Sequence, residues 1–410
     1  MECTSLRTRS RCIPIESCMS SNLLINLLRL RTACGFTQVE MADRAGLSRM
    51  GYRKLEAGES SPKPETLDAL AHALDATVAE LIAPASRLKS VRFRAQKKLN
   101  SREEVLARIS NQLDQYVELE QLLNERKSTT LHKALRDVST LRGPQRAVAA
   151  AQQARVAFGL KADDSIRDIC GLLEDNGVKV LTPSLATDGF FGLSIGVQDH
   201  GPAIAVNTWE RISVERWIFT AAHELGHLLL HSDAYEVDKT DEDEGEEKEA
   251  DTFAGHFLMP VPVFKREFRE AGGLSWYDRV FKLKRIFRVS YRTVLHRIAS
   301  EMPVEQRRTV WIRFNVEYKR NNGGRSLPGT VEPEGLPPDV FFRRPADKGS
   351  EEPERLNRHD FVRDRLARLV RRALKKNLIT VERAAEILER DQADMRELAR
   401  SWDETADSEL

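Results

Sequence analysis

The sequence predicts a multidomain, mainly α chain in which one domain is α+β with a small sheet. Three observations carry this reading. At 410 residues the chain is longer than one hydrophobic core organises, so two to four domains are expected. Residues 23–82 and 357–410 are runs of helical 3-4 spacing broken by tight turns. Between them, residues 164–207 change period to short apolar runs bounded by Gly, Pro and Asp, which read as strands.

Composition excludes several classes. Lys plus Arg number 64 and Asp plus Glu 63, so the whole chain is no polycation. Charge is segregated instead: residues 87–98 and 363–376 are basic, and 236–251 strongly acidic. No apolar run approaches the ~18 residues a membrane span needs. The five cysteines lack metal-like pairing and are odd in number, which suits a reducing cytoplasm. "MECTSLRTRSRCIPIESC" is basic and Ser-rich without an apolar h-region, so it is no secretory signal. Residues 1–20 are read as a disordered tail, or as leader upstream of a start at Met19.

Residues 21–83 form the first domain. Thr37 caps a helix with Met41 and Ala42 on its buried face, Gly46 permits the turn, and Ser48 caps the next helix. That second helix turns Arg49, Met50, Arg53 and Lys54 outward and Tyr52 and Leu55 inward. A short helix with exposed basic side chains is what reading the major groove requires.

Residues 84–160 are expected to be a helical linker, with a long polar helical stretch over 86–127. Leu106, Ile109, Leu113, Tyr116 and Leu123 fall on one stripe, with Glu120 breaking it. The stripe suits either packing on its own chain or a dimerising coiled coil.

The domain at 161–302 begins with a helix ending at Gly177, then the strands "VKVLTP", "GFFGLSIGV" and "PAIAVNT". A helix over 212–231 follows, then an acidic loop and a second helix to about 258. Residues 303–356 read as strand and linker, and 357–410 as a helical tail with a possible small helix-turn-helix.

The chemistry centres on "TAAHELGHLLLH", residues 220–231. Four residues apart on a helix, His223 and His227 can offer imidazole nitrogen to one zinc ion. Glu224, one step round, is placed to take a proton from a zinc-activated water. His231 lies a further turn, ~5.4 Å, along the axis, too far for a straight helix to bring all three rings to one ion. The third ligand is therefore sought in "EEKEADTFAGHFLMP". There Glu247 and Asp251 share a face, one to bind metal and one to hold a histidine's other nitrogen. Glu249 points nearly opposite and is read as solvated.

Two resemblances follow from these residues. Residues 23–82, with Thr37-Gln38, Ala42-x-x-x-Gly46, Leu55-Glu56-x-Gly58 and Leu70-Ala71-x-x-Leu74, resemble the Xre/Cro, lambda-repressor-like helix-turn-helix family. The resemblance implies a five-helix domain in which Gln38 and Ser48 touch phosphates and Arg49, Met50 and Lys54 face bases. It also implies an Arg31–Glu56 pair tying the first helix to the recognition helix. "HELGHLLLH" followed by "EKEADTFAGHFLMP" resembles the ImmA/IrrE metallopeptidases over roughly 164–300. That family implies a gluzincin-like site, with His223, His227 and Glu247 on Zn2+, Glu224 as base, and Asp251 behind a ligand. His256 stands where a small or acidic residue is more usual. The expectation is a cytoplasmic regulator, homodimeric on a double-stranded DNA operator, that cleaves a helix-turn-helix repressor or related protein. The alternative is a repressor or antitoxin-like regulator whose zinc domain senses metal or binds a partner without catalysis. The strands at 178–207 are expected to offer an edge to an extended substrate.

Overall fold

The computed structural model describes residues 23, 26, 27, 30, 31, 34–56, 60–82, 88, 91–95, 102–131, 141, 143–187, 189–231, 243–327 and 356–404. The expectations for residues 1–20, for the acidic stretch before Asp243 and for the linker at 328–355 lie outside these. The chain divides into two compact units, Met1–Arg87 with Asn100–Asp114, and Leu88–Leu99 with Gln115–Leu410.

In the first unit, residues 23, 26, 27, 30 and 31 are helical and precede α1 (Gln38–Arg44), α2 (Arg49–Glu56), α3 (Pro64–Ala73) and α4 (Val78–Ile82). Thr37 and Glu40 form a reciprocal capping box at the start of α1, satisfying donors the first turn would otherwise leave open. Gly46, at φ +66°, makes the turn into α2, a conformation L side chains resist. Leu27, Met41, Tyr52, Leu70 and Leu81 form the core. Each helix is too short to stand alone in water, so this shared burial holds the unit together.

The linker expectation is corrected. A strand, β1 (Val91–Ala95), lies where a continuous helix was expected over 86–127; it belongs to the second unit, and the helix α5 (Arg102–Leu122) has residues to 114 in the first unit and the rest in the second. V-R-F-R-A alternates apolar and charged residues with period two, a strand signal too short to outweigh its helical surroundings. Long-range pairing decides the matter.

The stripe on α5 is buried within the chain, with Ile109, Leu113 and Tyr116 wholly enclosed. This answers the packing question in favour of the chain itself. Glu120 does not break the stripe. It is buried and ion-paired to Arg365 at 2.7 Å and Lys179 at 3.4 Å.

After α6 (Gly143–Ala157) and α7 (Ile169–Asp175) come β2 (Lys179–Leu181), β3 (Phe190–Ile195) and β4 (Ala203–Val206). The sheet order is β1-β3-β4-β2, with β2 parallel to β4 and the other pairs antiparallel. Packed on it is α8 (Val214–Leu230), capped by Ser213, and against α8 lies α9 (Glu244–Leu258), capped by Asp243. Three more helices, α10 (Val261–Glu270), α11 (Trp276–Phe287) and α12 (Tyr291–Ser300), complete an apolar core that includes Phe253, Phe257, Phe281 and Phe287.

Residues 307–321 are a second correction: they form a helix, α13 (Arg307–Asn321), in a stretch read as strand and linker. "VWIRFNVEY" alternates locally, yet Val310 and Phe314, four apart, are the pair that buries. The tail is helical: α14 (Asp364–Lys375), α15 (Val381–Leu388) and α16 (Gln392–Glu404). Arg365 anchors it by donating its backbone N–H to Glu174 and its guanidinium to the Tyr116 hydroxyl. No helix among the described residues is long and apolar enough to cross a membrane.

Candidate metal centre and nucleic-acid interface

Helix α8 buries almost every residue, so its polar side chains must find partners inside the protein. His223 and Glu224 are 0% exposed and His227 1%. Gly226 explains how α9 comes close enough to supply them. A Cβ there would stand 3.0 Å from the Phe253 ring and 3.3 Å from the Cα of Ala250, so the missing side chain, with small residues on α9, lets the helices nearly touch.

That approach delivers Glu247. Its carboxylate oxygens lie 3.3 Å from His223 Nε2 and 3.2 Å from His227 Nε2, and the two Nε2 atoms are 2.9 Å apart. Among the described residues these three form one group able to hold a metal ion. The outer nitrogens are engaged elsewhere. His223 Nδ1 meets Asp251 Oδ1 at 2.8 Å, and His227 Nδ1 meets His231 Nδ1 at 3.0 Å.

When both Nδ1 atoms donate, both Nε2 atoms turn lone pairs toward each other and toward the Glu247 carboxylate, an arrangement that a bound cation would stabilise. Ligands at ~2.0–2.1 Å in tetrahedral array stand roughly 3.3 Å apart, close to the observed spacings. The donor set therefore fits zinc.

Burial pushes the His227 imidazolium down to about 3, because the charged form loses its hydration. Burial alone would raise the Glu247 carboxyl, but the neighbouring His223 and His227 rings outweigh it and hold it far below the usual range. Both groups are thus in their metal-binding protonation states at neutral pH.

Behind His227 stands an arrangement that the sequence reading missed. His231, the C-cap of α8, lies outside the metal group and contacts Glu249 through Nε2 at 3.2 Å. Glu249 is in turn held by Arg146 of α6 at 3.1 Å, while Arg146 also donates to the Leu230 carbonyl at 2.6 Å. The reading of Glu249 as a solvated face is overturned: its side chain is 16% exposed. It does point away from Glu247, but toward the end of α8, where a histidine waits.

Two more residues were not anticipated. Arg92 of β1 pairs with Glu246 and, at 3.4 Å, with Glu247. Gly192 of β3 passes directly over α8, where a Cβ would sit 2.5 Å from Thr220 Cγ2 and 3.3 Å from Glu224 Oε1. His256, the odd residue of its motif, meets Arg297 Nη1 at 3.2 Å, and burial with that neighbouring cation lowers its pKa to about 4. It lines a cavity of ≈ 440 Å³ that also touches Phe219, Asp251, His296 and Arg297.

In the first unit the recognition helix is built the other way round. Ser48, Arg49, Met50, Arg53 and Lys54 are all exposed, Met50 at 56%. Tyr52 is buried and Leu55 half-buried on the opposite face. Ser48 Oγ accepts from the Gly51 N–H at 3.0 Å, capping α2. The Arg31–Glu56 pair forms, with Nε to Oε1 at 2.6 Å. The half-exposed Gln38 amide donates to Glu56 Oε2 and so braces the pair.

Comparison with known families matches these two regions separately. Residues 27–81 match the helix-turn-helix family and residues 173–299 match the IrrE N-terminal-like domain of the M78 peptidases. The chain thus joins an Xre-like helix-turn-helix DNA-binding domain to an IrrE/ImmA-like domain, in a multidomain, mainly α architecture. Over 55 residues it is 42% identical to the cryptic phage CTXphi transcriptional repressor RstR of Vibrio cholerae serotype O1. The match takes in 13% of this chain and 49% of the repressor, so the chain spans about half the length of that relative.

Proposed function

We propose that this chain is a cytoplasmic, DNA-binding transcriptional regulator whose second unit is a zinc endopeptidase acting on a helix-turn-helix repressor or a related regulatory protein. The observation that carries it is the convergence of His223, His227 and Glu247 on one point beside the buried Glu224. Zinc bound there would supply a Lewis acid that acidifies water and polarises a carbonyl. Glu224 would hold that water and take its proton, then pass it to the leaving amine. Asp251 fixes the His223 ring, and His231 with Glu249 and Arg146 fixes that of His227, so neither ligand must reorganise on binding.

On the DNA side, Arg49, Met50, Arg53 and Lys54 would enter the major groove of an operator while Ser48 meets a phosphate. The α5 stripe is buried, so a homodimer on two half-sites would use another surface. One observation favours a second reading, in which the zinc domain only senses metal or binds a partner: β1 already occupies one edge of β3. A pure binder, however, has no need of a buried Glu224.

The test is the zinc-loaded full chain against a helix-turn-helix protein encoded beside it. Cleavage is expected, and Glu224→Gln should keep its zinc yet lose about 10²–10⁴-fold in rate. Cleavage at the wild-type rate by that variant would remove Glu224 from the role of base. No cleavage by the zinc-loaded wild type would favour the non-catalytic reading.

A further inference from the structure

The unexpected strand lies where it has a chemical consequence. β3 is flanked by β4 on one side, and at Gly192 it passes over Glu224. Its other edge is therefore a line of backbone donors and acceptors beside the base, the kind of edge to which an extended peptide adds as a further strand. In this chain that edge is already taken. Val91–Ala95 runs antiparallel along it, with Arg92 opposite Ser194 and Arg94 opposite Gly192.

A strand that merely capped the edge would need only its backbone. This one adds a side-chain anchor. Arg92 is 12% exposed and reaches Glu246 and Glu247, the carboxylates at 27% and 15%. Glu247 belongs to the metal group and Glu246 does not, so Glu246 is the carboxylate left for a guanidinium. Partly desolvated arginine–carboxylate pairs carry specificity, because a partner lacking the arginine leaves the acid uncompensated.

We propose that the outer edge of β3, together with Glu246, is a recognition site for an extended, arginine-bearing peptide segment, and that Val91–Ala95 is its resident occupant. The inference rests on the peptidase reading of the neighbouring centre and names its substrate class. A substrate enters antiparallel to β3, sets an arginine against Glu246, and must first displace the chain's own linker strand.

The experiment reads binding, in full-length zinc-loaded protein carrying Glu224→Gln so that nothing turns over. The probe is a fluorescent peptide of residues 88–98, LKSVRFRAQKK, followed by anisotropy. A chain with residues 91–95 replaced by a Gly-Ser stretch should bind it at least tenfold tighter than the intact chain. The peptide carrying Arg92→Ala should bind that chain at least tenfold more weakly, as should the original peptide to a Glu246→Gln version with unchanged zinc content. Equal binding of both peptides, or equal binding by intact and replaced chains, would overturn the proposal.

Should the replaced chain lose its cooperative melt, the intact chain with the single change Arg92→Ala serves instead. It keeps the strand backbone and should admit the peptide, whereas exclusion of the peptide there would make β1 a structural strand and end the idea. Because no step requires hydrolysis, failure here leaves the peptidase reading standing, and an inactive wild type leaves this result standing.

Discussion

The two functional helices, α2 and α8, solve opposite problems. In α2 the side chains proposed to act are exposed and make few contacts within the protein, because their partner is another macromolecule. In α8 the corresponding side chains are buried and have close neighbours: Asp251 of α9 at His223, His231 at the end of the same helix at His227, and Gly192 of β3 over Glu224. A binding face needs only a rigid backbone beneath it, here supplied by Tyr52 and the Arg31–Glu56 pair. A centre that must hold an ion and move a proton needs its groups positioned in advance, and that requires partners.

The largest effect that separates the two is loss of the metal. Glu247→Ala removes the carboxylate that, among the described residues, groups with both imidazoles, so tight zinc binding should fall by roughly three or more orders of magnitude. Operator binding by α2 should be unchanged. Zinc content of the purified variant and a gel-shift titration check both halves. If DNA binding fell in step with zinc, the functions of α2 and α8 would be coupled, and the contrast would have to be redrawn.

The converse change acts on α2. Arg49→Ala with Lys54→Ala removes two exposed groups placed to meet base edges, each worth about 1–3 kcal/mol of discrimination. Preference for the operator over random DNA should therefore drop by roughly 30-fold to 10⁴-fold, with zinc content untouched. Equal discrimination by the double variant would show that another element reads the sequence.

This contrast also explains how much of the molecule was legible in its sequence. The capping residues Thr37, Ser48 and Ser213, the turn at Gly46 and the outward face of α2 are local, and periodicity exposes them. The pairing of Glu247 with Asp251 was legible too, since four residues on a helix define one face. What escaped depends on distant contacts. Arg92 reaches Glu247 across 155 positions, and Arg146 reaches Glu249 across 103. Strand β1 was misread because its partner is β3, and no window around residues 91–95 contains that partner. A single helix face cannot announce which other element will come to rest against it.

The smallest predicted effect tests how far such support extends beyond the ligands. Asp251 touches His223 directly, whereas Glu249 acts on His227 only through His231. Each histidine needs its outer nitrogen to donate, so that Nε2 keeps a lone pair for the ion. His231 can accept that proton at Nδ1 only while its own proton sits on Nε2, facing Glu249. Losing Asp251 should thus cost about 10–100-fold in zinc affinity, the range for a partner one bond from a ligand. Glu249→Ala leaves His231 in place but free to change tautomer, and should cost less, about tenfold or below. Glu249→Gln still offers an acceptor oxygen and should recover most of it. Competition with a chelator orders the three variants, and cobalt spectra would register a turned His227 ring, which a merely loosened helix end would not produce. Wild-type affinity in Glu249→Ala would reduce the Arg146–Glu249–His231 chain to packing at the end of α8, and His227 would then owe its orientation to the helix alone.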